Sequence, residues 1–376
     1  MKVLFILSRI EKNGVTTHTL DLARGLIKQG HELVMITGGI YGGVTNKHYE
    51  FLREILKDFE DIGTEIHYFG LPKGNILSKS FTAIRSILKV LRLIASIKAD
   101  VIHCQSPNTT FMPWLIGKKF ITTVHSDLLK PNPMYKNPTK LIAVSAASKE
   151  YGIRVLRAKE EDVPIVLHGI SKRFSESISE EKKEAIKTEN NIPQDKILIG
   201  FVGRITKVKG LDILIKAIAE DLAPELREKV HLIFLGDYYL ESDKAWLTGL
   251  IQESGIANQI CLMPFQDPQP IYQIFDIFVL PSRSDTFGLV AVEAMMSGCC
   301  TVRSDSYGAY DQIDHGTDGF IFEMDNHAQL SQILTELLDN AELRAQVAQK
   351  GKAKALKHFT IDAMTLNTIE VYKTLL

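Results

Sequence analysis

Cysteine is scarce: Cys104, Cys261, Cys299 and Cys300 are the only four in 376 residues, and no Cys-x-x-Cys pair occurs. A zinc ribbon and a disulfide scaffold are therefore excluded, and a reducing compartment fits. Long apolar runs are missing as well. No stretch approaches the roughly 20 residues that a bilayer-spanning helix needs, and MKVLFILSRIEKNG turns polar too soon for a signal peptide. The expectation is a cytoplasmic protein, at most peripheral on the inner face of a membrane. The P-loop, the Gly-x-Gly-x-x-Gly fingerprint, the Gly-x-Ser-x-Gly elbow and His-Glu-x-x-His are all absent, which removes support for kinase-like, dehydrogenase, hydrolase and zincin chemistry. No Asp-x-Asp pair is present to hold a divalent ion on a diphosphate. Any phosphate must be bound by backbone amides and cationic side chains, with no metal. Short Lys/Arg-rich runs are absent too, so nucleic acid is a poor partner.

What is present is ordinary globular composition, 45% hydrophobic and 24% charged, with a net charge of -1. The length gives a prior of two or three domains. Charge is unevenly spread: residues 1-170 sum to +8 and 171-376 to -9. Apolar strands KVLFIL, ELVMIT, TEIHYF, DVIHCQ, KFITTVH and KLIAVS alternate with helices at 15-29, 48-58, 79-98, 108-117 and 146-158. After the polar stretch SKRFSESISEEKKEAIKTENN the alternation restarts with KILIGFVG, a helix 208-222, VHLIFLG, a helix 243-254, QICLMP, DIFVLPS, a helix 288-297, CCTVRS and GFIFEMD. Continuous apolar strands separated by helices argue for parallel sheets covered on both faces. The α/β fold expected is two tandem Rossmann-like, doubly wound domains, with ligands at the carboxyl ends of the strands and a cleft between the domains. The first would span 1-170 and the second 171-356.

Two constellations carry chemistry. In FVGRITKVKGLDILIKAI, Arg204 and Lys209 flank the passage from a strand into a helix, so a guanidinium and an ammonium meet a positive helix end suited to a diphosphate. A solvated loop whose cations merely face water reads equally well. In PSRSDTFGLVAVEAMMSG, Asp285 lies in a loop, Gly288 permits close approach at a helix start, and Glu293 could accept bonds from two hydroxyls. A half-exposed helical glutamate is the plain alternative.

Together these stretches resemble the donor-site signature of glycosyltransferase family 4, retaining enzymes of the GT-B fold. The likeness spans nearly the whole chain. NGVTTHTLDLARGLIKQGHEL resembles the family's glycine loop and first helix, DVIHCQSP and TTVHSD its interdomain strands, VSAASKE and HGI its domain junction, and GAYDQIDHGTDGFIF part of its second domain. The resemblance implies metal-free transfer of a sugar from a nucleotide diphosphate, UDP-linked, to a glycan or lipid-linked acceptor hydroxyl with retention, in cell-surface glycan or glycolipid synthesis. It carries roles over by position. Arg204 and Lys209 would bind the diphosphate, and Glu293 the ribose hydroxyls. Asp285 would contact the donor sugar, and Thr286, Phe287, Gly288 and Leu289 would approach sugar and phosphate. His125 matches the cleft histidine beside the sugar, and Gly14 the loop near the phosphate. Residues 357-376 resemble the family's terminal helix, which returns to the first domain. His103, His168 and Lys149 read as structural, and Cys299-Cys300 as core.

The chain departs from the family pattern in places. Gly-Gly becomes Asn13-Gly14, two usual glutamates become Asp285 and Asp311, and GxGP becomes GDYYLESD. Two other readings stay open: a non-catalytic GT-B partner subunit that stabilises an active glycosyltransferase, and a sugar-nucleotide epimerase. On the acceptor side, Ile66 to Ala99 holds no acidic and six basic residues. Arg85, Lys89 and Arg92 share one face of helix 79-98, Ile84, Ile87, Leu88, Leu91, Ile94 and Ala95 form the opposite stripe expected to cover the sheet, and Val90, Leu93 and Ile97 widen its apolar arc. Attraction to an anionic membrane surface follows if the cationic edge is free. Loop 127-140, with three prolines, takes an extended path.

Overall fold

The computed structural model describes residues 1-40, 46-70, 75-125 and 133-376. Residues 127-132 of the proline-bearing loop lie outside these. The chain divides into two compact units, Met1–Gly169 with Ile361–Leu376, and Ile170–Thr360. Among the described residues no helix is long and apolar enough to cross a membrane.

The first unit holds six parallel strands: β1 (Lys2–Leu7), β2 (Glu32–Thr37), β3 (Glu65–Tyr68), β4 (Val101–Cys104), β5 (Ile121–Val124) and β6 (Lys140–Ala143), in the order β3-β2-β1-β4-β5-β6. Strand side chains alternate between the two faces, so each face builds its own core. Val3, Phe5 and Leu7 pack with Leu22, Ala23 and Leu26 of helix Gly14–Lys28 and with Met364 and Tyr372 of the last helix, Ile361–Lys373. Leu4 and Ile6 point the other way, onto Val90 and Ile94 of helix Ile76–Ser96 and Met112 of the short helix Phe111–Leu115.

The second unit repeats the plan with β7 (Ile197–Val202), β8 (Val230–Leu235), β9 (Ile260–Met263), β10 (Ile277–Leu280), β11 (Cys300–Ser304) and β12 (Phe320–Phe322), ordered β12-β11-β10-β7-β8-β9. Counted from the start of each unit, both sheets read 3-2-1-4-5-6, the doubly wound order. Each reverses direction between its first and fourth strands, β1 beside β4 and β7 beside β10. Loops leaving those strands splay to opposite faces and open a crevice at the carboxyl edge.

Three expectations need correction. The polar stretch 171-191 contains a helix, Glu180–Glu189, whose N-cap Ser179 accepts a bond from the Lys182 amide; its lack of an apolar stripe hid it. The helix drawn at 208-222 is broken into a 3-10 turn (Lys207–Lys209), an α-helix (Leu211–Lys216) and a π turn (Ala217–Asp221), because left-handed Gly210 interrupts it. Helix Ile76–Ser96 is rotated by roughly a quarter turn from the expected setting. Ser86, Val90 and Ile94 are buried, whereas Ile84 and Leu88 are 60% and 50% exposed. The β-branched side chains of Val90 and Ile94, one turn apart, meet the sheet and set that rotation.

Candidate functional site

The β7 and β10 loops border the crevice of the second sheet, and together they hold six of the expected residues. Gly210 adopts φ 71°, and a Cβ there would stand 1.9 Å from the Pro281 carbonyl oxygen. Only glycine allows the two loops to approach this closely. Arg283 rivets them: its amide donates to Val208 O (2.8 Å), Nη1 to Lys207 O (2.7 Å), and its guanidinium grips Asp212 (2.9 and 2.7 Å) and Asp325 (2.6 Å). Lys209 Nζ is thereby brought to both carboxylate oxygens of Asp285, at 2.8 and 2.7 Å. Both side chains are largely buried, 17% and 18% exposed, so this pair is weakly screened. Arg204 behaves differently: it is exposed, with its guanidinium 5.5 Å from the centre of the Tyr239 ring. The two cations expected to act as one clamp are therefore held by different partners, Lys209 by a carboxylate and Arg204 by an aromatic face.

Thr286 to Leu289 lead into helix Leu289–Ser297. Its N-cap Gly288 has φ 78° and no side-chain cap; the Ala291 amide bonds back to Gly288 O at 3.0 Å, and the Leu289 and Val290 amides are left as the open donors of the helix start. An anion is the natural occupant of such an end. Phe287 is 2% exposed, and its carbonyl accepts bonds from Arg303 Nη1 (2.9 Å) and Gln312 Nε2 (2.6 Å). Glu293, a turn further along, accepts a bond from the buried Tyr272 hydroxyl at 2.9 Å.

Arg303 and Gln312 are residues that the sequence reading missed. Arg303 is fully buried and also donates to Gln312 Oε1, to Ser306 Oγ (3.2 Å) and to Tyr307 O (3.1 Å). Burial pulls its pKa down to about 10, and the charges of Asp285 and Asp311 oppose that shift. It stays cationic at neutral pH and adds positive potential beneath the loop. The only signal in the sequence was a charged residue inside the apolar strand CCTVRS.

In the first unit, Gly14 opens helix Gly14–Lys28, and Asn13, standing where the family has a second glycine, caps it by accepting a bond from the Thr16 amide. Nearby, His18, His103 and His168 are buried and His125 is half-buried. His103 is held by Tyr372 OH and Thr123 Oγ1, both at 2.8 Å, which suits a structural role. His125 stacks on His168 with 5.6 Å between ring centres, and His18 meets both rings edge-on at 4.7 and 4.5 Å. His18 and His168 approach to 2.8 Å between their Nδ1 atoms, so one must donate while the other is a neutral acceptor. These three rings place one nitrogen each within 4.8 Å, the set of described side chains that could gather around a cation. Lys149 forms an ion pair with Glu160 at 3.6 Å, and Cys299 and Cys300 are buried.

Burial lowers the pKa of His18 and His103 to about 3 and holds His125 and His168 well below 6.5. The unfolded chain keeps ordinary rings. Between pH 6.5 and about 3 it therefore binds more protons than the folded chain, and acidification favours unfolding; above pH 6.5 all four rings are neutral in both states and contribute nothing. Each ring is worth up to about 1.4 kcal/mol per pH unit in that window. The melting temperature should hardly change from pH 8 to 7 and should fall steeply from pH 6.5 to 5. A flat profile over the latter interval would contradict the buried, neutral assignment.

Two family profiles match the chain in tandem: "Glycosyltransferase Family 4" over residues 12-173 and "Glycosyl transferases group 1" over residues 182-354. An uncharacterized glycosyltransferase of Methanocaldococcus jannaschii is 24% identical, covering 96% of this chain and 94% of its own. A D-inositol 3-phosphate glycosyltransferase of Stackebrandtia nassauensis is 25% identical over 79% of this chain and 73% of its own. Among solved structures, Anabaena HepE in complex with UDP superposes with a TM-score of 0.82 at 18% identity, covering 100% of both chains. A glycosyltransferase from Rickettsia africae reaches 0.84 at 19% identity, covering 100% of this chain and 98% of its own.

Proposed function

The chain belongs to the family 4 glycosyltransferases of the GT-B fold, and from that premise we propose that it moves a sugar from a UDP-linked donor to an acceptor hydroxyl with retention at the anomeric carbon, without a metal. One observation carries the assignment. Lys209, left-handed Gly210 and the uncapped start of helix Leu289–Ser297 converge at the reversal point of the second sheet, where positive charge is fixed before any ligand arrives. Fixed charge of this kind stabilises a leaving group without reorganising during the reaction.

In the proposed reaction the bond from the anomeric carbon to the diphosphate oxygen breaks, and the acceptor oxygen bonds to that carbon on the same face. The acceptor proton passes to the departing phosphate. Lys209, Arg204 and the first-turn amides near Gly288 and Leu289 stabilise the charge that develops on the diphosphate. Glu293, steadied by Tyr272, takes the ribose hydroxyls. Asp285, together with Thr286 and Phe287, orients the donor sugar, with its carboxylate shared between Lys209 and the sugar. From the family likeness alone, His125 is given the donor sugar and Gly14 the phosphate. No protein nucleophile is needed, because stabilisation of the leaving group supplies the main rate term. A glycan or lipid-linked acceptor, in cell-surface glycan or glycolipid synthesis, completes the reading.

The test is nucleotide release by purified protein from a panel of UDP, GDP and ADP sugars. Release from at least one UDP sugar supports the proposal, and inertness toward all of them with any acceptor rejects it. A sharper check concerns Glu293→Gln, which keeps an acceptor for Tyr272 but removes the charge. Its KM for the donor should rise about tenfold, the worth of a charged hydrogen bond, with kcat within about twofold. An unchanged KM would remove Glu293 from the ribose site.

A further inference from the structure

The quarter-turn rotation of helix Ile76–Ser96 leaves on its outer face side chains that a sheet-covering helix ordinarily hides. Phe81, Ile84 and Leu88 are 68%, 60% and 50% exposed. They occupy positions i, i+3 and i+7 and so form one stripe. Arg85, Lys89 and Arg92 lie exposed beside that stripe. The short helix Phe111–Leu115 packs against the same helix and covers the same sheet face through Met112. It carries exposed Trp114, Leu115 and Ile116 of its own, followed by exposed Lys118 and Lys119.

Isolated exposed apolar residues need no explanation, but a contiguous patch rimmed by one sign of charge does. From Ile66 to Ser126 the chain has eight Lys and Arg against a single acidic residue, Asp100. Asp100 is committed to the Lys2 amide at 2.7 Å. Among the described residues none of Arg85, Lys89, Arg92, Lys118 or Lys119 has a carboxylate partner. The cations are unneutralised, and their long stems keep the charge at the rim of the apolar stripe. An exposed tryptophan at the margin of such a patch is suited to the boundary between headgroups and acyl chains.

We infer that the helix pair Ile76–Ser96 and Phe111–Leu115 is a docking surface for an anionic phospholipid bilayer, with Phe81, Ile84, Leu88 and Trp114 entering the interface and Arg85, Lys89 and Arg92 meeting the headgroups. This surface does not depend on the sugar-transfer reading. It is built entirely within the first unit and contains none of the residues assigned to the donor.

Flotation of the full chain with vesicles of phosphatidylcholine alone and of phosphatidylcholine containing one-third phosphatidylglycerol tests it. Binding should be confined to the anionic vesicles and should weaken as salt rises. The triple variant Arg85→Gln, Lys89→Gln, Arg92→Gln should lose about a hundredfold in vesicle affinity, because each cation near a charged surface is worth about fivefold. The pair Phe81→Ser, Ile84→Ser should bind at least tenfold more weakly, and neither set of exposed substitutions should lower the melting temperature. In a Trp246→Phe background, the remaining Trp114 emission should shift to the blue on anionic vesicles only. Binding indifferent to lipid charge, no binding to either vesicle, full affinity in the triple variant, or self-association in place of vesicle binding would each overturn the inference.

Discussion

Lys209→Ala should lower the rate of nucleotide release by about 10²- to 10³-fold, the measured worth of one preorganised charge-stabilising group in a water-poor site. The argument rests on position. The ammonium is held by two bonds to Asp285 and is only 17% exposed, so its field is weakly screened. Removal deletes the cation and leaves the Asp285 carboxylate facing the phosphate, which adds repulsion to the loss. Stability should fall by roughly 1–3 kcal/mol, because a largely buried carboxylate loses its partner and keeps only an edge in water. Steady-state release and a thermal melt on the same preparation separate the two effects. Activity within threefold of the parent would remove Lys209 from the reaction, and a collapse in melting temperature would show that its role is mainly structural. Asp285→Asn serves as the companion: it keeps the volume and frees Lys209, so donor affinity should survive better than turnover.

Arg303→Met should destabilise the second unit by about 3–5 kcal/mol, although methionine fits the apolar strand and removes a buried charge. Where a buried ion pair is replaced whole by apolar groups, the change can be neutral. Here the partners stay behind. The Phe287 carbonyl, the Gln312 side-chain oxygen and Ser306 Oγ would lose a donor in a buried region, and the carbonyl of the half-exposed Tyr307 would lose one at its edge. Each unsatisfied buried group costs about 1–3 kcal/mol. Urea unfolding followed through Trp246, which sits in the second unit, measures the change. The loss should extend to function, because Phe287 and Gly288 form the uncapped helix start, and a rise in donor KM should accompany it. Equal midpoints for parent and variant would show that the Arg303 network is dispensable.

Much of the architecture could be read before any coordinates were known. Each strand announced itself as a short apolar run, and twelve of them in two sets separated by helices allow little besides two doubly wound sheets. The donor loops were also legible, because Lys209-Gly210 and Asp285-Thr286-Phe287-Gly288 sit at strand-to-helix passages where backbone chemistry leaves a local trace. Partnerships were not legible. Lys209 to Asp285 spans 76 residues, and Arg283 reaches back 71 residues to Asp212. Nothing near either member of these pairs marks the other. Arg303 was invisible for the same reason, since its partners Phe287 and Gln312 lie on other elements.

Local pattern alone thus determined the twelve strands, their parallel pairing and the family likeness, because those depend on periodicity and on short stretches of neighbouring residues, whereas it passed over helix Glu180–Glu189 and drew the broken segment 207-221 as one helix. Tertiary packing decided the rest: that Arg204 and Lys209 have separate partners, that His18, His103 and His168 are buried with His125 half-buried against them, and that Ile84 and Leu88 face outward. A helix's periodicity says that it has an apolar side but leaves the breadth of that side ambiguous. The sheet selects the buried edge through the shape and volume of the side chains that fit it, and that selection exists only once the sheet is there to be covered.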